Sequence, residues 1–184
     1  MANLAPAQSE NTEEELVARA QADDAGAFQE LFDRYYPMIN AFCYRTCLDQ
    51  TQAQDLAQET FIKVARSLGT YRADASFRSW IYRIATNTAH DWLRQKMRQN
   101  RIVEVLQEPW MESAAEDGSE NHLRVAEALQ ALPGDLRLAI VLTFYEGMNH
   151  AAAAQVLGCA ETTVSWRVFR AKRKLKTFLS RRES

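Results

Sequence analysis

Apolar side chains recur at spacings of three, four and seven residues along most of this chain, and that period restricts it to helices. Phe28, Leu31, Phe32, Tyr35, Ile39, Phe42 and Cys43 lie on one such stripe. Leu56, Ala57, Thr60, Phe61, Val64 and Leu68 form a second, and Phe77, Trp80, Ile81, Ile84, Ala85 and Trp92 a third. With only 6 glycines and 4 prolines in 184 residues, the chain lacks the turn punctuation of a many-stranded sheet. The expected fold class is all-α.

Helix starts are marked by residues able to accept a backbone N–H. Thr12 followed by Glu15 predicts a capping box, Asp24 a second cap, Thr51 with Gln54 another box, and Ser76 a fourth start. Pro37 lies inside the second helix and is expected to bend it. From about Asn100 to Asn121 the period is lost, and Glu104, Glu108, Glu112, Glu116, Asp117 and Glu120 accumulate around Pro109 and Gly118. That composition predicts a linker. Four further helical patterns follow, at 122–132, 135–146, 149–157 and about 161–179. The expected organisation is two small helical domains, 1–100 and 122–184, joined by an acidic flexible linker, 101–121.

Net charge is only −2, yet it is unevenly spread. Residues 1–100 carry 11 basic and 13 acidic side chains, 101–121 carry 1 and 6, and 122–184 carry 10 and 5. Between Arg167 and Arg182 there are eight basic residues and no acidic one, the footprint of a helix that contacts phosphates. The last two patterns, a short helix, a glycine turn at Gly158 and a longer basic helix, have the composition of a helix-turn-helix. With Val164, Val168 and Leu175 toward a core, Ser165, Trp166, Phe169 and Arg170 lie on the outer side, while Arg167, Lys172, Arg173, Lys174 and Lys176 can reach phosphates. Arginine bonds guanine with two donors and an aromatic ring can touch a thymine methyl. A solvated terminal helix is the plainer alternative, but exposed Trp166 and Phe169 amid cations are costly without a partner.

Between Tyr71 and Arg98, aromatic residues interleave with basic and amide side chains, a surface suited to holding unpaired bases. Tyr71, Arg72, Tyr82 and Asn87 are the stronger contact candidates, and Arg83, Asn87, Arg94 and Arg98 fall near one stripe. Phe77, Trp80 and Trp92 sit at core spacing. Asp55, Gln58, Glu59 and Lys63, taken alone, are ordinary helix surface. No enzyme constellation, cofactor site or small-molecule substrate site is evident: His90, His122 and His150 lack partners at metal-ligand spacing, and no glycine-rich phosphate loop follows a strand. Cys43 and Cys47, four apart on an apolar stripe, are expected to be core-facing thiols, and Cys159 completes no even framework. No apolar run is long enough to span a membrane, and the acidic start differs from a signal peptide. A cytoplasmic location without direct membrane insertion is expected.

The stretch Asp55–Lys63, followed by Tyr71–Ala89, closely resembles the first conserved domain of extracytoplasmic-function (ECF) sigma factors. The stretch Ala128–Arg137, with Glu146-Gly147 and Thr163–Leu175, resembles the second. The resemblance implies that Asp55, Gln58, Glu59, Phe61 and Lys63 dock on the clamp of core RNA polymerase. It implies that Tyr71, Arg72, Trp80, Tyr82 and Asn87 open the minus-ten promoter element and hold a flipped base, with Arg83 and Arg94 tracking phosphates. Ser165, Trp166, Phe169 and Arg170 match positions that read the minus-thirty-five element, beside Arg167, Lys172 and Arg173. The acidic linker would thread toward the polymerase channels. An anti-sigma partner is expected too.

Two departures stand out. Ala151–Ala154 occupy positions where the family usually has an acidic residue and an isoleucine, which bears on a cap or local packing, and Trp166 replaces smaller or polar residues. The alternatives are a stand-alone helix-turn-helix regulator binding duplex without polymerase, and an adaptor that touches no DNA. The sigma reading expects the isolated chain to bind promoters poorly until polymerase fixes the separation of its two surfaces.

Overall fold

The computed structural model describes residues 12–103 and 120–180, all regular elements of which are helical. The segment 104–119, most of the predicted acidic linker, lies outside the described residues. Helices α1 (Glu13–Gln21), α2 (Ala25–Cys47), α3 (Gln50–Ser67) and α4 (Phe77–Val103) come first. A 3-10 turn, Leu68–Thr70, follows α3. After them come α5 (Glu120–Gln130), α6 (Gly134–Ile140), a π-helical turn (Val141–Tyr145), α7 (His150–Leu157) and α8 (Glu161–Ser180).

The caps explain most of these bounds. Thr12 accepts from the Glu15 N–H at 3.3 Å while Glu15 accepts from the Thr12 N–H at 3.0 Å, the predicted box. Asp24 accepts from Gly26 and Ala27, and Ser76 from the Ser79 N–H. The third start differs from expectation: Asp49, not Thr51, is the cap, accepting from the Gln52 N–H at 2.9 Å. Pro37 lies within α2 as expected. The predicted helix 135–146 changes character halfway. After Ile140 its bonds widen, with the Glu146 N–H donating to the Val141 carbonyl five residues back, which turns Phe144 and Tyr145 outward and Glu146 inward.

In the first half α3 packs on α2 and α4, and α1 on α2. Leu31, Ile39, Phe42, Ile81 and Tyr82 are essentially without exposure. Phe42 meets the Tyr82 ring edge-on at 5.6 Å. Cys43 and Cys47 are buried in this core, and desolvation pushes the Cys43 thiol up to about 12. In the second half α8 packs on α5, α6 and α7, through buried Val164, Val168 and Ala171.

The halves are packed against each other. Helix α4 lies on α6 and α7, α2 touches the π-helical turn, and the buried apolar residues form one continuous cluster. Gly134 starts α6 so close to α4 that a Cβ there would stand 3.1 Å from Leu93 Cδ1. The Arg137 guanidinium, from α6, donates to the Thr46 carbonyl of α2 at 2.7 Å. The two expected binding surfaces are thus held by direct contact between their carriers.

Candidate nucleic-acid interface

Helix α8 carries Trp166 and Phe169 outward. Asn149 caps α7 by accepting from the Ala152 N–H at 2.8 Å, and Gly158 ends it with φ at +62°, the left-handed turn that swings the chain into α8. The alanine run therefore costs no cap, and Ala153 and Ala154 are buried small residues that let α7 pack on α8 and α4. Trp166 and Phe169 are 55% and 59% exposed. Arg170 lies over the Trp166 ring at 5.1 Å, Arg173 over Phe169 at 5.8 Å, and Lys172 over Phe144 at 4.6 Å. Each ring holds a cation over its negative face, and the row presents positive charge on apolar supports.

Two predicted contacts on this helix are otherwise engaged. Ser165 Oγ donates to the Glu161 carbonyl and pairs with His150 Nδ1 at 2.8 Å. Arg167 turns away from the row to Asp135, 3.2 Å distant, where His90 Nε2 also bonds at 2.9 Å. His150 and Phe144 were not anticipated as members of this surface. Their signal is weak in sequence, because each joins α8 only through the tertiary fold.

The second surface is the loop before α4. Tyr71, Phe77 and Trp80 form an aromatic cluster with ring centres 5.3 to 5.5 Å apart. Tyr71 donates its hydroxyl to the Ala75 carbonyl, and Gln21 of α1 donates to the Leu68 and Tyr71 carbonyls, so the loop is braced from both ends. Burial, with Glu13, Glu14 and Asp74 nearby, raises the Tyr71 pKa. Beside the cluster opens a cavity of about 320 Å³ lined by Tyr71, Arg72, Trp80 and Arg83, and closed on one side by Gln155 and Val156 of α7. Arg83, Asn87 and Arg94 are exposed along α4.

Tyr82 differs from expectation. It is fully buried, its hydroxyl donates to Glu146, and the Arg78 guanidinium lies 5.5 Å over its ring. Burial first, then the Glu146 carboxylate, raises its pKa. In this conformation Tyr82 presents nothing to a nucleic acid. Its place on the inner face follows from its position three and four residues before buried Ala85 and Thr86.

The third surface is the outer face of α3. Asp55, Gln58 and Glu59 are exposed, and Lys63 bridges Glu59 at 2.8 Å and Thr88 at 3.0 Å. Phe61 is not part of that face: it is 5% exposed and packs edge-on against Phe32 at 4.8 Å. The apolar residue on the face is Ile62, 51% exposed, which shares the stripe of Asp55, Gln58 and Glu59 at intervals of three and four.

Comparison with known proteins fits this arrangement. Residues 31–99 match the model of Sigma-70 region 2, and residues 122–175 that of Sigma-70, region 4. The chain is 35% identical over 177 residues to the RNA polymerase sigma-H factor of Pseudomonas aeruginosa, covering 89% of this chain and 92% of that one. It is 33% identical over 174 residues to the ECF RNA polymerase sigma-E factor of Escherichia coli, covering 88% and 91%. Among solved structures, CnrH in complex with the cytosolic domain of CnrY is similar with a TM-score of 0.68 at 29% identity, covering 90% of this chain and 95% of that one. The sigma factor RpoE in complex with the anti-sigma factor NepR from Bartonella quintana gives 0.68 at 26% identity, covering 83% and 96%. The aromatic-lined loop and α4 fall in region 2 and the helix-turn-helix in region 4, so the chain belongs to the ECF sigma factors of the sigma-70 family, non-enzymatic initiation factors that direct RNA polymerase to promoters.

Proposed function

We propose that residues 1–100 act as a sigma domain that binds core polymerase and the minus-ten element, and residues 122–184 as one that reads the minus-thirty-five duplex, with the acidic stretch 101–121 between them. Asp55, Gln58, Glu59 and Lys63 form the polymerase-docking face, with Ile62 as its apolar contact. Tyr71, Arg72 and Trp80 receive an unpaired base, while Arg83, Asn87 and Arg94 follow the strand along α4. Trp166, Phe169 and Arg170 read base edges, with Lys172 and Arg173 on phosphates. Charge repulsion between the acidic stretch and nucleic acid suits it to the polymerase channels. The protein works in the cytoplasm, where the polymerase is, and no described helix is long and apolar enough to cross a membrane. An anti-sigma protein is its expected regulator, as in the complex of RpoE with the anti-sigma factor NepR.

The observation that carries this reading is the row of exposed rings on α8, each topped by a cation. Such a row is costly in a free surface and apt for a charged groove. The test is promoter-directed run-off transcription with core enzyme. Arg170→Ala removes one bidentate base contact, which should cost about 1–3 kcal/mol of discrimination, and Asn87→Ala should impair opening. Undiminished transcription by both variants would reject the assignment of these surfaces.

A further inference from the structure

Where α4 passes the turn between α5 and α6 there is a cavity of about 470 Å³, and none of the residues proposed above for promoter contact lines it. That size lies within the range of small-molecule sites. Its apolar wall is made by Trp92, Leu93 and Met97 of α4, with Leu132 and Pro133 from the α5–α6 turn. The Trp92 indole is fixed in place, because its N–H donates to Gln52 Oε1 at 2.9 Å.

The charged part of the lining has one sign. Arg137, Lys96 and Lys174 contribute three cations, and among the described residues no aspartate or glutamate borders the cavity. Lys96 and Lys174 are exposed, which places their charges at the rim, and the Lys96 Nζ lies 4.9 Å from the centre of the Trp92 ring. Arg137 is buried. Its acceptors are the neutral carbonyls of Thr46, Gln130 and Leu132, and its Nε has none. Among the described residues no carboxylate pairs with this guanidinium, and desolvation lowers its pKa. A charge taken out of water is ordinarily matched by one of opposite sign.

A neutral hydrocarbon would cover the apolar wall and leave the cations unmatched. A strongly hydrated inorganic anion would match them, but it would have to shed its water against indole and aliphatic surface. The lining calls for both parts in one molecule. We propose that this cavity binds a small organic anion, with its acidic group toward Lys96, Lys174 and Arg137 and its apolar body on Trp92, Leu93 and Met97. The site is separate from the surfaces assigned to polymerase and DNA, so its occupancy does not depend on that assignment. A ligand there touches helices α4 and α8 and the α5–α6 turn together, and it stabilises the native chain by mass action.

The test titrates anilinonaphthalene sulfonate, an aromatic anion whose emission rises in apolar surroundings, into the full chain. Its neutral analogue phenylnaphthylamine is the comparison. The variants are Lys96→Glu, at an exposed position, and Arg170→Ala, on the exposed ring face of α8, each checked for retained helicity by circular dichroism. The wild type should bind the sulfonate saturably and one to one, and its Tm should climb with probe concentration, as for a ligand of the native state. Lys96→Glu should weaken that binding about tenfold, since it turns an attraction into a repulsion at short range. Arg170→Ala should leave it unchanged. The neutral analogue should bind about tenfold more weakly than the sulfonate, because it gives the cations no partner, and Lys96→Glu should not affect it. Equal affinity of the wild type and Lys96→Glu for the sulfonate overturns the proposal. Loss of binding in Arg170→Ala alone also overturns it, by placing the anion on α8. A neutral analogue bound as tightly as the sulfonate overturns it too, by leaving only an apolar patch.

Discussion

Replacing Arg137 by alanine tests how firmly the two halves are joined. Its guanidinium is 8% exposed and donates to three backbone carbonyls: Thr46 at 2.7 Å, Gln130 at 2.5 Å and Leu132 at 3.2 Å. Thr46 lies in the last turn of α2, Gln130 ends α5 and Leu132 lies in the turn after it, so one cation serves the carbonyl ends of two helices from opposite halves. A hydrogen bond from a charged group contributes about 1.5–3 kcal/mol, giving a gross gain of several kcal/mol. Against it stands the cost of burying the charge, which lowers the Arg137 pKa, and a buried Nε without a partner. Removing one member of a buried charged network typically costs about 3–5 kcal/mol. Water entering the vacated space re-solvates some carbonyls, so the lower end applies, about 3 kcal/mol. At about 2–4 °C per kcal/mol for a chain of this size, Tm falls by roughly 6–12 °C. Urea denaturation followed by circular dichroism and tryptophan fluorescence measures the loss, and Arg137→Lys should recover only part of it, because one ammonium cannot span three carbonyls. A loss below about 1 kcal/mol for Arg137→Ala would refute the reasoning.

Three further outcomes are expected. Gly158→Ala should destabilise by about 1 kcal/mol in thermal denaturation, a purely conformational cost, because a Cβ there meets no atom within 4 Å while φ stays at +62°. Ile62→Asp should weaken co-purification with core polymerase while leaving stability within about 0.5 kcal/mol, as for exposed positions generally. Stability should fall at high pH: the Cys43 thiol titrates at about 12 in the folded chain and near ~8.5 when unfolded. The native state therefore keeps a proton the unfolded chain loses, so the stabilisation is full below that lower value and declines above it by up to about 1.4 kcal/mol per pH unit. Urea midpoints at pH 8 and pH 10, with wild type against Cys43→Ala, check the sign and the source.

Local signals carried the helices well. Thr12, Asp24, Asn149 and Gly158 fixed boundaries because caps act within four residues, a range that sequence displays directly. Asp49 and Thr51 lie two apart and both suit an N-cap, so sequence could not choose between them; the Asp49 carboxylate's bond to Gln52 decides. Phe61 shows two signals in conflict. Its spacing from Ala57 and Val64 put it on the core stripe, where it is found, while the family motif drew it onto the outer face of α3, where Ile62 is exposed instead. Nothing local could reveal the pairing of Tyr82 with Glu146, 64 residues away, or of Arg137 with Thr46, 91 away. Those bonds depend on how two halves pack, and each half's pattern is satisfied without them.

The aromatic residues divide by the same logic, and the division explains how a chain of net charge −2 presents a cationic face. In the first half the rings of Phe42, Tyr82, Phe77 and Tyr35 meet edge-on inside the core, where their area stabilises the fold. On α8, Trp166 and Phe169 add little to the core, being more than half exposed. Their rings instead hold Arg170 and Arg173 in place, reducing the side-chain freedom that would have to be lost on binding. Two of the cations of α8 are thereby held in place on one exposed face. Such a face attracts a duplex weakly by itself, which suits the proposed role in a subunit whose partner enzyme supplies the rest of the DNA contact.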